Sequence, residues 1–238
     1  MVDKSQNVKT KAPAVVVRLP GLNFTCDGLL ALIPIAVALA LIISVVYLIS
    51  RTTQTLLWVS AVLWILFMGY WSAVAGQASA ARTSEPPRSR QIHQLLMYGA
   101  LVLAFVRVPG LTVRWLPKNW WILGAGFFIQ VSSAVLSIVA RKHLGRNWSA
   151  QIASKVDHQL IKSGPYRLIR HPIYTGMLGM FVGTAFVSGE LHGLVAVAMI
   201  SIAYFRKIRL EEQNLRNVFG TQYDEYKKKS WALVPFLI

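Results

Sequence analysis

HQLIKSGPYRLIRHPIY, residues 158–174, is a polar, turn-rich insert carrying two histidines, and the apolar runs around it make sense only as membrane spans. A second short run, KIRLEEQNL at 207–215, sets two adjacent carboxylates, Glu211 and Glu212, directly after the last apolar segment. The two runs are predicted to meet at one membrane face and form a cofactor pocket there.

Composition agrees with a bilayer protein. Of 238 residues 55% are hydrophobic and 14% charged, against about 25% charged in ordinary soluble domains. The net charge of +16 would suggest nucleic acid on a polar domain. Here the basic residues fall between apolar runs, where they read as topology signals and anionic-lipid contacts, so nucleic-acid binding is not expected. A single cysteine, Cys26, excludes an internal disulfide and a cysteine-based metal cluster, and the five histidines lack zinc-site spacing. No metal is expected. The first apolar run is as long as a full span, so a cleavable signal peptide of the usual form is not expected either.

The predicted fold class is all-α: a polytopic membrane bundle of about six helices. Residues 1–27 read as a polar, basic tail. Residues 28–140 read as a scaffold of four spans, at 28–49, 56–75, 95–108 (extending to about 113) and 120–140, with a polar, Pro-containing loop at 76–94. Trp120 and Trp121 open the fourth span as an interfacial pair. Residues 141–238 hold the polar insert, a short hairpin of spans at 173–187 and 191–205, and an amphipathic, basic tail from Arg206 onward. Six spans put both termini on one side. With the termini in the cytoplasm, 21 Lys and Arg lie inside and four outside (Arg51, Arg107, Arg114, Lys118). The positive-inside rule therefore favours that orientation, in an inner membrane if the cell is prokaryotic or the endoplasmic reticulum if it is eukaryotic.

Several motifs occur in a fixed order. Gly145-Arg146-Asn147-Trp148-Ser149 is followed by Gly164-Pro165-Tyr166, by Arg170-His171-Pro172 with Tyr174 and Gly176, and by Glu211-Glu212 ahead of Phe219-Gly220, Tyr223 and Tyr226. Taken singly, such patterns carry nothing. Together, from Arg146 to about Pro235, they resemble the isoprenylcysteine carboxyl methyltransferase family of integral membrane enzymes. That resemblance implies an S-adenosylmethionine-dependent membrane methyltransferase whose last hairpin and flanking segments enclose the methyl donor. It further implies O-methylation of a prenylcysteine-like or other lipid-linked carboxylate. By positional match, Gln151, His158, Gln159, Leu160, Ile161, Tyr166, His171, Pro172, Ile173, Tyr174 and Glu211 are the expected cofactor-binding positions. Lys207 stands where the family usually has an arginine that holds the acceptor carboxylate. Lysine offers a point charge in place of a fork, so Arg206 or Arg209 is a candidate substitute.

The residues also have a reading of their own. Pro172 suits a helix start, since proline at the first helical position loses no needed hydrogen bond, and His171 and Tyr174 then share a face. Gly176, Gly179 and Gly183 leave room for a neighbouring helix or a flat ligand. Glu211 and Glu212 fit either a charged interfacial collar or a seat for a cationic ligand in otherwise basic surroundings. A carboxylate acceptor is ionised at neutral pH and needs no general base, whereas an amine must first lose a proton. Two other functions compete: N-methylation of a phospholipid or small amphiphile, and a sterol-reductase-like reaction using NADPH.

Overall fold

The computed structural model describes residues 16–19, 22–25, 55–75, 81–84, 86–148, 153–155 and 159–235. Within these described residues six α-helices follow in order: α1 Thr55–Ala75, α2 Pro87–Phe105, α3 Trp120–Leu144, α4 Pro172–Ser188, α5 Leu191–Phe219 and α6 Thr221–Lys228. Two short antiparallel ladders accompany them. Strands β1 (Val16–Leu19) and β2 (Leu22–Thr25) pair with each other, and β3 (Ala81–Ser84) pairs with β4 (Ala153–Lys155). The predicted span at 28–49 lies outside the described residues.

Among the described residues three helices, α1, α3 and α5, are long and apolar enough to cross a bilayer, and α4 is a shorter apolar helix. The outward faces of α1, α2, α3 and α5 carry large hydrophobic side chains: Leu66, Leu95, Phe128 and Ile202 are all more than 60% exposed. In water such a surface would drive aggregation. It marks an integral membrane protein, and Trp120 and Trp121 stand exposed at the start of α3 as an aromatic anchor.

Three boundaries differ from expectation. The helix predicted from residue 95 begins at Pro87, because Pro86-Pro87 supplies a start and Pro87 occupies a first-turn position where no amide is needed. It ends at Phe105, where Val106 turns extended. The segment expected as a separate amphipathic tail is a continuation of α5, which runs unbroken for 29 residues, about 43 Å. Nothing interrupts it before Gly220, whose φ of +53° closes the helix. Finally, the region read as a polar, basic tail contains the β1–β2 ladder, with apolar residues flanking Pro20-Gly21.

The glycine face of α4 is filled by α3. A Cβ at Gly183 would stand 2.5 Å from the Gly126 carbonyl, and one at Gly176 would stand 2.5 Å from the Ser133 carbonyl. These glycines therefore serve close helix packing, and the flat-ligand alternative does not hold for this face. Beside it lies a buried polar network. Ser60 Oγ donates to Gln130 Oε1 (2.8 Å), and Gln130 Nε2 donates to Thr184 Oγ1 (3.2 Å). Trp64 Nε1 donates to the same hydroxyl (2.9 Å). In a hydrocarbon environment such satisfied groups fix the register of α1, α3 and α4.

The turn between α4 and α5 is pinned at the end of the bundle away from the polar insert. Arg107 forks onto Glu190 at 3.1 and 2.9 Å, and Arg114 donates to the Ser188 carbonyl at 3.0 Å. At the other end, the β3–β4 ladder ties the segment after α1 to the insert after α3. The insert, the start of α2 and the charged half of α5 thus share one end.

Candidate functional site

The polar insert closes over the start of α4 through local rules. Gly164, at φ +59°, opens a short 3-10 turn, and a Cβ there would meet the His143 ring at 2.7 Å. Tyr166 is thereby buried against Ala140, Trp148 and Ile173. The carboxyl-terminal segment then pairs with the residues just before α4. Trp231 N donates to Leu168 O (2.9 Å), Arg170 N to Trp231 O (2.7 Å) and His171 N to Ala232 O (3.1 Å). Thr175 Oγ1 donates to Leu233 O (2.7 Å). Arg170 is also held by the Ser230 carbonyl.

These contacts enclose a cavity of roughly 850 Å³ including its mouth, lined by Leu144, Asn147, Trp148, Gln159, Leu160, Ile161, Tyr166, Arg170, His171, Ile173, Tyr174, Glu211, Asn214, Leu215, Tyr223 and Tyr226. The insert and α5 do meet at one face.

The two carboxylates have different surroundings. Glu212 is neutralised: Arg170 Nε lies 2.8 Å from Oε1 and Lys227 Nζ 2.6 Å from Oε2. His171 Nε2 is 3.4 Å from Glu212, without hydrogen-bond geometry, and His171 Nδ1 is 3.7 Å from Glu211 Oε2. Among the described residues, three buried polar atoms of the cavity walls find no hydrogen-bond partner: His171 Nε2, Glu211 Oε2 and Tyr223 Oη. Orphaned polar atoms cost free energy unless something meets them. All three belong to residues that line one cavity, which makes it the candidate ligand site.

The tyrosines complete the wall. Tyr226 Oη donates to the Tyr166 carbonyl at 2.6 Å, and Tyr166 Oη to the Ala140 carbonyl at 3.4 Å. Burial pushes the Tyr226 hydroxyl up to about 12 and raises Tyr166 and Tyr223 further. All three stay protonated at neutral pH and remain hydrogen-bond donors. Tyr174 stacks between His171 and Tyr204, with ring centroids 5.7 and 5.0 Å away, extending the aromatic wall toward the bundle core.

Of the sequence-derived positions, Gln159, Leu160, Ile161, Tyr166, His171, Ile173, Tyr174 and Glu211 line this cavity. Pro172 does not; it is fully buried as the first residue of α4. Gln151 and His158 lie outside the described residues. Lys207 is not among the lining residues; it is buried on α5, one turn from Glu211 on the same face. Arg206 and Arg209 are not brought to the cavity. They line a separate hollow on the outer face of α5. The expected set omitted Leu144, Asn147, Trp148, Arg170, Asn214, Leu215, Tyr223 and Tyr226, which also line the cavity. Asn147, Trp148, Arg170, Tyr223 and Tyr226 stood in the ordered motifs, but only the fold shows that α6 turns back against the insert.

Residues 125–217 match the isoprenylcysteine carboxyl methyltransferase (ICMT) family. Among curated proteins, the chain is 32% identical over 146 residues to protein-S-isoprenylcysteine O-methyltransferase A of Arabidopsis thaliana, covering 60% of this chain and 70% of that one. It is 31% identical over 125 residues to form B from the same plant, covering 51% and 64%. A probable protein-S-isoprenylcysteine O-methyltransferase of Oryza sativa subsp. indica is 33% identical, covering 51% and 65%. The matched region thus spans a little under two thirds of the latter two relatives. A solved structure of the eukaryotic intramembrane Ras methyltransferase (isoprenylcysteine carboxyl methyltransferase) superposes with a TM-score of 0.57 at 18% identity, covering 87% of this chain and 76% of that one. At that identity the likeness concerns the fold.

Proposed function

We propose, from the premise that this chain belongs to the isoprenylcysteine carboxyl methyltransferase family, that it is an S-adenosylmethionine-dependent membrane methyltransferase acting on the carboxylate of a prenylcysteine-like or other lipid-linked acceptor. The observation that carries this reading is Glu211. It is a carboxylate with an unpartnered buried oxygen, facing a cavity whose other unpartnered groups are a tyrosine hydroxyl and an imidazole nitrogen.

These residues fit the methyl donor's chemistry. A ligand with an ammonium, a sulfonium and ribose hydroxyls offers both positive charge and donors to Glu211, while Tyr223 Oη and His171 Nε2 meet lone pairs or hydroxyls. When bound, the sulfonium supplies a methyl group already activated for displacement. The chain's own task is placement and exclusion of water. Tyr166, Trp148, Ile161 and Ile173 form an apolar wall that keeps water out. Glu212, held by two cations, fixes Arg170 and so the pairing of Arg170 and His171 with the carboxyl-terminal segment. Lys207 lies one helical turn from Glu211 toward the apolar half of α5, where a charge attracts the carboxylate of an acceptor whose lipid portion remains in the bilayer. A carboxylate acceptor needs no general base. That suits a site whose imidazole has a carboxylate beside each ring nitrogen and whose tyrosines stay protonated.

The sidedness follows the charge asymmetry, with the cavity and both termini in the cytoplasm. The deciding experiment supplies labelled S-adenosylmethionine with three acceptors: an N-acetyl-S-farnesylcysteine, its carboxamide, and phosphatidylethanolamine. Label is expected on the first alone. Transfer to the carboxamide or to phosphatidylethanolamine with none to the free acid would overturn the assignment to a carboxylate.

A further inference from the structure

The outer face of α5 carries a feature that methyl transfer does not use. Ile202, Phe205 and Leu210 border a shallow hollow whose remaining walls are Arg206 and Arg209. Ile202 is 62% and Phe205 38% exposed. The helix rises about 1.5 Å per residue, so the 15 uncharged residues from Leu191 to Phe205 take it roughly 22 Å through the hydrocarbon. Arg206 is where it meets the headgroups. The apolar residues therefore face acyl chains while the two guanidinium groups stand at the level of lipid phosphates.

Both arginines are available at that level. Arg206 is braced rather than neutralised, for its Nη1 and Nη2 donate to the carbonyl and hydroxyl of Ser89 at 3.2 and 2.6 Å. Ser89 belongs to the first turn of α2, so the guanidinium is fixed across two helices. Among the described residues neither Arg206 nor Arg209 forms an ion pair. A planar, weakly hydrated, pre-positioned cation beside a second, exposed one is suited to phosphate oxygens.

We infer that this hollow binds the headgroup phosphate of an anionic phospholipid, with the acyl chains lying along Ile202 and Phe205. The occupant is assigned by charge complementarity and depth. Two cations that pair with no carboxylate among the described residues select against zwitterionic lipids, whose own cation would be repelled. The inference is independent of the methyl-transfer reading.

The test uses the full chain in neutral detergent, mixed with equal amounts of phosphatidylglycerol and phosphatidylcholine, and reads retained lipid by native mass spectrometry. The intact protein should retain phosphatidylglycerol preferentially, each arginine contributing about fivefold. Arg209→Gln changes an exposed side chain and should reduce the preference about fivefold without loss of fold, while Arg206→Gln with Arg209→Gln should bring it near parity. Lys228→Gln with Lys229→Gln, exposed elsewhere at that end, should leave it unchanged. An undiminished preference in the Arg209→Gln and double variants overturns the site, as does an equal loss in the lysine control. Displacement of phosphatidylglycerol by excess inorganic phosphate overturns the lipid assignment.

Discussion

His171 and Glu211 stand side by side in the cavity wall, with Nδ1 3.7 Å from Oε2, although one residue precedes α4 and the other lies beyond the apolar half of α5. Each is locked by different means, His171 by the backbone pairing to Ala232 and Glu211 by its place on a continuous helix. Their proximity puts both residues on the wall of a single cavity at one end of the bundle.

Glu211→Ala should weaken binding of S-adenosylhomocysteine by at least about tenfold, the scale of one charge-assisted hydrogen bond, while the protein inserts and melts normally. Titration calorimetry measures the first and a thermal scan the second. Unchanged affinity would return Glu211 to a plain interfacial charge.

Glu212→Gln should do the reverse. It removes the carboxylate that Arg170 and Lys227 share, and Arg170, only 8% exposed at its side chain, would be left under-compensated at a cost of about 1–3 kcal/mol. The melting temperature should fall by several degrees, with ligand affinity at low temperature nearly retained.

The tyrosines predict an alkaline limit. Tyr226 has its hydroxyl raised by burial from 10.0 to about 12. Between those values the unfolded chain has released the proton and the folded one has not. Fewer protons on the unfolded state means that stability falls as pH rises. The stabilisation is complete below pH 10 and lost on approach to pH 12. Tyr226→Phe should lower stability at neutral pH by about 1–2 kcal/mol, because its hydrogen bond to Tyr166 O is removed. It should also flatten the decline above pH 10, as measured by thermal scans across a pH series.

Two glycines should respond oppositely to alanine. At Gly183 the added methyl meets the Gly126 carbonyl at 2.5 Å and the Gln130 amide at 2.7 Å, so α3 and α4 must separate, at a cost of about 1–3 kcal/mol. At Gly124 no atom of the described residues lies within 4 Å, and the substitution should be neutral or slightly stabilising. Equal melting temperatures for the two variants would contradict the close α3–α4 packing.

The sequence by itself determined the membrane class and the positions of α1, α3 and α4, because long apolar runs and a proline at a first helical position act locally. It also named Glu211, His171 and Tyr174, through an ordered set of short motifs. It did not determine that α5 continues through the charged run, since the loss of hydrophobicity at Arg206 resembles a helix end although nothing breaks the backbone before Gly220. Only the tertiary structure supplied the physical difference between Glu211 and Glu212: adjacent residues on one helix point in different directions, and which of them meets Arg170 and Lys227 depends on how segments distant in sequence fold back. The same holds for Arg206 and Arg209, drawn from the cavity to the lipid face by the rotation of a helix whose direction is set by packing against α2 and α4.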